Sequence, residues 1–308
     1  MAAAADIDDV ALLSPRHVAF VTPLILVHLA CGLVFVVGAS RVATAVALLT
    51  GAVQLFGITA GFHRLLAHRS FKTSRAFQFV LAFVAQTSAQ RGALWWAAHH
   101  RNHHLYSDQP QDIHSPVQDG FWYSHVLWLF DTGVPATDYR NIPDLARYPE
   151  LRFLNKYYLL PPILLGALVF LTLGASGLFF GFFVSTVLLW HGTFTINSLS
   201  HVFGGRRYAT SDDSRNNWLL AIVTMGEGWH NNHHRFSSST RQGFYWYEYD
   251  FTFYILKLLS WMGLVWQLRP VPVSIIQEGR RNEELHGAAG APIAPYRGAV
   301  GTVGAEPG

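Results

Sequence analysis

Two apolar runs free of Asp, Glu, Lys and Arg lie near the start of the chain, Val18 to Ala39 and Val42 to Phe62, with only Ser40 and Arg41 between them. A helix crosses the hydrocarbon core with about 20 apolar residues at about 1.5 Å each. Both runs meet that length and predict a tight transmembrane hairpin. From Tyr157 to Gly205 there is again no acidic or basic residue, and "GASG" at 174–177 divides this stretch into Tyr157–Leu173 and Leu178–His201. The pattern therefore predicts an all-α integral membrane fold with four spans in two hairpins, at about 18–39, 42–62, 157–173 and 178–201.

Two further stretches are apolar but shorter. "AFQFVLAFVAQTSAQ" at 76–90 carries Gln78, Gln86 and Gln90 and reads as a helix packed against the membrane domain or lying at the interface. "FTFYILKLLSWMGLVW" at 251–266 reads as an interfacial helix. Residues 1–17 form an N-terminal segment, 18–270 the membrane domain and its cap, and 271–308 a tail expected to be disordered, with Gly, Ala and Pro abundant from 282 onward.

Charge gives the orientation. The segment 63–156 holds ten Lys and Arg and the segment after 205 another ten, whereas the turns at 40–41 and 174–177 hold one and none. By the positive-inside bias the long connection, its cap and both termini face the cytoplasm. Composition agrees: 51% of residues are apolar and 13% charged, about half the usual ~25% of soluble proteins. The N-terminus, with Asp6, Asp8 and Asp9, lacks the basic start of a secretory signal. The single cysteine, Cys31, excludes an internal disulfide and a cysteine-ligated cluster. A net charge of +3 gives no nucleic-acid footprint.

Chemistry enters with the histidines, sixteen in all. Nine fall into spaced groups: His63 and His68 in "HRLLAH"; His100, His103 and His104 in "HHRNHH"; His230, His233 and His234 in "HNNHH"; and His201 at the end of the fourth span. Positions i, i+3 and i+4 share a helix face, so each His-x-x-His-His is expected to aim three imidazoles at one point. His63 and His68 differ by about 140° around an α-helix, so either the helix ends there or they serve two different metals, and the second is the expectation. His17, His28, His99, His125, His191 and His286 are read as ordinary core or surface residues. Nine imidazoles exceed one ion's needs; divided between two, they give four or five each. Imidazole suits iron, zinc, copper and nickel alike, and O₂ chemistry beside a lipid-exposed domain favours iron. No HExxH is present, and Glu227 precedes His230 by three residues, so a zinc-peptidase geometry is lacking.

Asn197, Phe194 and Trp190 precede His201 at helical spacing on one face. Asn197 can hold a metal-bound water or cap its helix end. Trp190 is expected to line a channel into the membrane domain, and Gln86 either joins that channel or bonds a backbone carbonyl. Gly51 and Ala47, 12 and 16 residues before His63, lie about 18 to 24 Å deeper at about 1.5 Å per residue. If they face the channel, they leave it open to a long chain.

"HRLLAH", "HHRNHH…SDQPQDIHSP", "NSLSH" and "GEGWHNNHH", in this order and among four predicted spans, resemble the membrane-bound acyl-CoA (stearoyl-CoA type, delta-9) fatty acid desaturases over about residues 18–270. The resemblance implies a di-iron centre held by His63, His68, His100, His103, His104, His201, His230, His233 and His234, with Asn197 acting through water. It implies O₂ as co-substrate, a long-chain acyl-CoA held with its tail in the membrane domain, and a cis double bond as product. No haem-binding HPGG stretch occurs, so the electron donor is expected to be separate, a ferredoxin or cytochrome b5 with its reductase. Arg64, Arg69, Lys72, Arg91 and Arg101 are candidates to meet the CoA phosphates, against the plainer reading of positive-inside anchoring. A lipid hydroxylase on the same scaffold is the alternative. A metal transporter would need ionisable residues within the spans. A bacterial inner membrane fits better than an endoplasmic reticulum.

Overall fold

A computed structural model describes residues 15–286 except 132 and 135. The expected N-terminal segment up to residue 14 and the tail from 287 lie outside the described residues. The chain begins with α1 (Pro15–Cys31), a turn at 32–33 and a single helical turn Val34–Val37, so the predicted first span is interrupted. Ser40 Oγ then accepts a hydrogen bond from Ala43 N at 3.0 Å and caps α2, which runs without a break from Arg41 to Ala67. It overshoots the predicted end at Phe62 by five residues. From Gly57 onward it is wound as a π-helix, with His68 N donating to His63 O at 3.0 Å, five residues back.

The segment Leu160–His201 is the second helical stretch long and apolar enough to cross a membrane, and it and α2 are the two such stretches among the described residues. It is not one straight rod. Gly174 has φ +64° and ψ −156°, outside the helical region, a conformation open to glycine because it lacks Cβ. The halves fold back there: Gly166 lies against the Phe182 ring, and Gly181 against the side chains of Val169 and Val46.

Between these stretches lie α3 (Arg75–Gln86), capped by Ser74, and α4 (Ala93–Tyr106). Helix α3 crosses the π-wound part of α2 where glycine permits contact: a Cβ on Gly57 would sit 2.6 Å from Ala85 N, and one on Gly61 2.8 Å from Leu81 O. The resulting core joins Phe62 and Leu66 of α2, Leu81 of α3 and Leu94 of α4 with Leu151 and Leu256, all buried. After α5 (Phe121–His125), the folded-back pair ends in α6 (Ser185–Asn197) and a short turn to His201. Then α7 (His230–Arg235) and α8 (Phe251–Trp261) complete the cap, and the two-residue strands Lys72–Thr73 and Val265–Trp266 pair antiparallel beside it.

The tail is partly ordered, contrary to expectation. Residues Val273–His286 form helix α9. It is held to the cap by Glu278 to Arg235 at 2.6 Å and Glu283 to Arg207 at 2.7 Å. Ile275 is also buried against Tyr208, Phe244 and Tyr245, a short apolar anchor that the polar composition of the rest of the helix hid.

Candidate metal centre

The nine histidines gather in the cap as two adjoining groups. His63, His68, His100, His104 and His233 bring their ring nitrogens within 4.8 Å of one another, and so do His103, His201, His230 and His234. Two expectations are corrected here. His63 and His68 serve one group, not two, because the π-winding stacks residues five apart; their ring centroids are 4.7 Å apart. Nor does either His-x-x-His-His converge on one point. In each helix the i and i+4 histidines go together, and the middle one crosses to the other group. On α4, His100 and His104 join the first group and His103 the second; on α7, His230 and His234 join the second and His233 the first.

The first group is a chain of inward Nε2 atoms: His68 to His100 at 2.8 Å, His100 to His104 at 3.1 Å, His104 to His233 at 2.9 Å, and His233 to His63 at 3.0 Å. A neutral ring has one N–H, so these contacts cannot all be hydrogen bonds. Converging lone pairs need a cation between them. In the second group His201 and His230 meet at 3.0 Å, and buried His234 Nε2 has no hydrogen-bond partner. Burial first, and neighbouring histidines next, push His68, His100, His104, His230 and His233 well below the usual imidazole range. They are neutral at pH 7, the form that binds metal. The donor set therefore fits two borderline divalent ions.

Carboxylates behind the rings were not singled out by the sequence pattern. His201 Nδ1 donates to Asp108 at 2.8 Å, His103 Nδ1 to Asp112 at 3.0 Å, and His234 Nδ1 to Asp212 at 2.7 Å. Such bonds fix which ring nitrogen faces the metal. Asp108 adopts φ +59°, a left-handed conformation in which it also accepts from Ser115 Oγ at 2.6 Å and Asp213 N at 2.8 Å. His63 Nδ1 pairs with Glu227, whose other oxygen accepts from Arg64 Nη2 at 2.8 Å. Arg64, fully buried, also donates to Asp250 at 2.9 Å. That removes Arg64 as a phosphate ligand. Arg101 is likewise engaged, with Asp144 at 2.7 Å and the carbonyls of Leu66 and Ala67.

From both groups a cavity of about 640 Å³ runs into the apolar helices, touching His63, His100, His103 and His230. Trp190, Phe194 and Asn197 of α6 line one wall, and Trp190 Nε1 is tied to Ser88 O at 2.6 Å. Arg91 lies on the lining beside the Trp95 ring, its guanidinium carbon 4.7 Å from the ring centroid. Three substrate candidates lie off this lining, and Gln86 takes the second of its two readings, a bond to a backbone carbonyl. Gln86 is buried off the lining, its amide nitrogen donating to Leu154 O at 2.9 Å and its oxygen accepting from Ala93 N at 3.2 Å. Gly51 and Ala47 are also off it, because that face of α2 packs on the folded-back pair, where Gly51 meets Ser185 Oγ. Gly166 and Phe182 line the deep end instead. Gln90, given no role from the sequence, donates to Thr193 Oγ1 at 2.8 Å, and both line the cavity.

The family model described as fatty acid desaturase matches residues 39–267. The chain belongs to the fatty acid desaturase family. It is 41% identical over 224 residues to the acyl-CoA C20 Delta5-desaturase of Anemone leveillei, covering 72% of this chain and 71% of that one. It is 42% identical over 222 residues to Delta-9 acyl-lipid desaturase 1 of Arabidopsis thaliana, covering 71% and 72%. With the sn-1 stearoyl-lipid 9-desaturase of Anabaena variabilis the identity is 41% over 209 residues, covering 68% and 76%. This desaturase is thus an oxidoreductase of lipid metabolism. Its family and its two long apolar helices together mark it as a membrane protein.

Proposed function

We propose that the protein inserts a cis double bond, at the delta-9 position, into a saturated acyl chain carried by CoA, using O₂, two irons and electrons from a separate donor. One observation carries this reading: an apolar cavity ends on two histidine groups whose ring nitrogens converge within 4.8 Å of one another in each. When bound, the two irons supply the O₂ chemistry that removes hydrogen from an unactivated methylene, which no side chain here can do. His63, His68, His100, His104 and His233 would hold one, and His103, His201, His230 and His234 the other, with Asn197 reaching the second through water.

The chain's own residues bind and orient. Trp95, Trp190 and Phe194 give the acyl tail an apolar wall and keep out water. The Gln90–Thr193 bond fixes that wall beside the histidines, so which C–C bond faces the metals follows from where the chain is held. Arg91 is the candidate of the five cations that lies on this lining and is assigned to the anionic end of the acyl carrier. For the electron donor, a second cavity of about 960 Å³ touches His68 and is lined by Arg69, Lys72, Arg147 and Arg269, a cationic face suited to an acidic redox protein. The four-span reading draws support from the fold-back at Gly174, and the positive-inside bias puts the metal end in the cytoplasm of a bacterial inner membrane. No observation favours a hydroxylase.

The test is the fatty-acid profile of a desaturase-deficient host expressing this chain with a compatible electron donor, double bonds located by mass spectrometry. A new cis-delta-9 monoene that vanishes in His233→Ala is expected. A double bond elsewhere refutes the regiochemistry, and a hydroxylated product refutes desaturation. Acyl-CoA against acyl-phospholipid, offered to purified protein, decides the carrier.

A further inference from the structure

We propose that the two metal positions are unequal, the four-histidine position holding its ion more tightly and in the higher oxidation state than the five-histidine position. The inference rests on the di-iron reading above and concerns what stands behind the rings. In the four-histidine group, three of the four ligands donate Nδ1–H to a carboxylate: His201 to Asp108, His103 to Asp112 and His234 to Asp212. In the five-histidine group, among the described residues, His63 alone has such a partner, Glu227.

The counter-charges differ as well. Arg64 bonds Glu227 at 2.8 Å and Asp250 at 2.9 Å, so one cation serves two carboxylates and the network carries a single net negative charge. The three aspartates are satisfied mostly by neutral donors. Asp108 takes Ser115 Oγ and the amide of Asp213; Asp212 takes the amide of Ser214 at 3.0 Å; Asp112 takes the amide of Asp108 at 3.1 Å and lies 3.4 Å from His114 Nδ1. Arg206, close by, is bonded to Asp213 and Thr210 instead.

A carboxylate behind a ligating histidine makes the ring a stronger donor, and its loss costs about 10–100-fold in metal affinity. Three unmatched anions behind one ion also favour a trivalent over a divalent charge there, in a buried setting where water screens little. The five-histidine ion has a net negative charge of one behind it, because Arg64 offsets one of its two carboxylates. It is expected to be reduced first and lost first. Asp108, Asp112 and Asp212 are therefore positioning residues, each acting through the histidine it holds.

The experiment uses the full chain in detergent, loaded with isotopically enriched iron. The loaded protein is reduced and challenged with a ferrous chelator while iron is counted over time. Two equal phases are expected. Asp212→Asn and Asp112→Asn should accelerate only the slow phase, by about 10–100-fold, and Glu227→Gln only the fast one; Asp212→Glu should restore the slow phase. In the one-electron-reduced protein, the ferric Mössbauer doublet should change with Asp212→Asn and not with Glu227→Gln. A single phase from protein holding two irons overturns the inequality and leaves the di-iron reading standing. Aspartate variants that move the fast phase, or a ferric doublet that answers only to Glu227→Gln, reverse the assignment and so overturn it. Protein that takes up fewer than two irons overturns the reading beneath. Should Asp212→Asn fail to fold, the wild-type time course and Asp112→Asn still decide.

Discussion

The cap and the apolar helices are held together by different physics. At the metal end, Arg64, Glu227, Gln242, Asp250 and Thr252 are all buried, and their partners lie far away in sequence: Arg64 to Asp250, His63 to Glu227, Thr59 to Thr252. At the other end, Leu29, Phe35, Leu48 and Leu171 face outward, and the helices meet through glycines and bare apolar contact. A buried polar group costs free energy unless it is paired, so the metal end is specified by partners. The apolar end gains little from burial in lipid and is specified by shape. Substitutions should therefore cost most at the metal end when they orphan a partner, and at the apolar end when they add volume.

The largest effect sits on a ligand itself. His233 belongs to the five-histidine group and touches both His63 and His104. His233→Ala should reduce desaturation to background and lower the iron content, the protein remaining folded by circular dichroism. Retained product with both irons bound would break the claim that this end is defined by its partners.

Next comes Arg64, buried and bonded to two carboxylates. Arg64→Met keeps much of the volume and strands Glu227 and Asp250. Removing one partner of a buried ion network costs about 3–5 kcal/mol, to be read as a drop in thermal midpoint of the metal-free protein. Metal-free protein isolates the effect from ligand loss. The sign follows from geometry: burial acts to raise the Glu227 carboxyl, and the His63 ring and then Arg64 hold it down at about 2. With Arg64 gone, that carboxyl should protonate nearer neutral pH. A variant as stable as wild type would show that the network gives specificity without stability.

At the boundary of the two regions, Gly57→Ala should cost about 1–3 kcal/mol, the usual range for overpacking. The added Cβ meets backbone atoms of Ala85 and Val84, at 2.6 Å from the nearest, and backbone cannot turn away as a side chain can. Two glycines at the turns of the apolar helices offer the contrast: Gly38 and Gly174 have open space around them, and only their positive φ resists substitution.

These same differences explain what could be read from the sequence. Helical class, the long apolar stretches and the nine histidines were legible because they depend on local composition and spacing. The division of the histidines was not. It depends on a π-winding that no residue pattern announces, and on an i/i+4 pairing that sends His103 and His233 to opposite groups. Asp108 and Asp212 were hidden because their partners stand 93 and 22 residues away. Glu227 was visible beside His230, yet it faces His63 on another helix. Gly51 misled because depth along α2 says nothing of which face meets the cavity; a helix turned toward Ser185 is turned away from the substrate. Ile275 and Ile276, followed by Glu278 and Glu283, could have been noticed in α9 as a sequence unlike the Gly- and Ala-rich stretch after it.

The smallest effect belongs to three histidines that the sequence gives no role. His28 Nδ1–H donates to Leu24 O at 2.7 Å, which makes its Nε2 an acceptor. His191 Nε2–H, at 3.3 Å, then supplies it, and His191 Nδ1 accepts from His125 Nε2–H at 3.1 Å. His125 Nδ1 in turn faces Ser198 Oγ at 3.0 Å, whose one hydrogen also has Phe194 O at 3.0 Å to serve. One set of tautomers satisfies the contacts among the three rings, and it pins α1 and α5 to α6, the helix that carries Asn197. Here, inside the region specified by shape, is a piece of the other kind of specification. His191→Leu keeps the bulk and strands both neighbours. Because His28 and His191 are only half-buried, the cost should stay near the lower end of the range for an orphaned polar group, about 1 kcal/mol. Adding His28→Leu should cost little more, since its partner is already gone. Thermal midpoints of the single and double variants measure both numbers. A double variant that loses the full sum of two independent changes would mean that the three rings are separate residues of the apolar packing rather than one string.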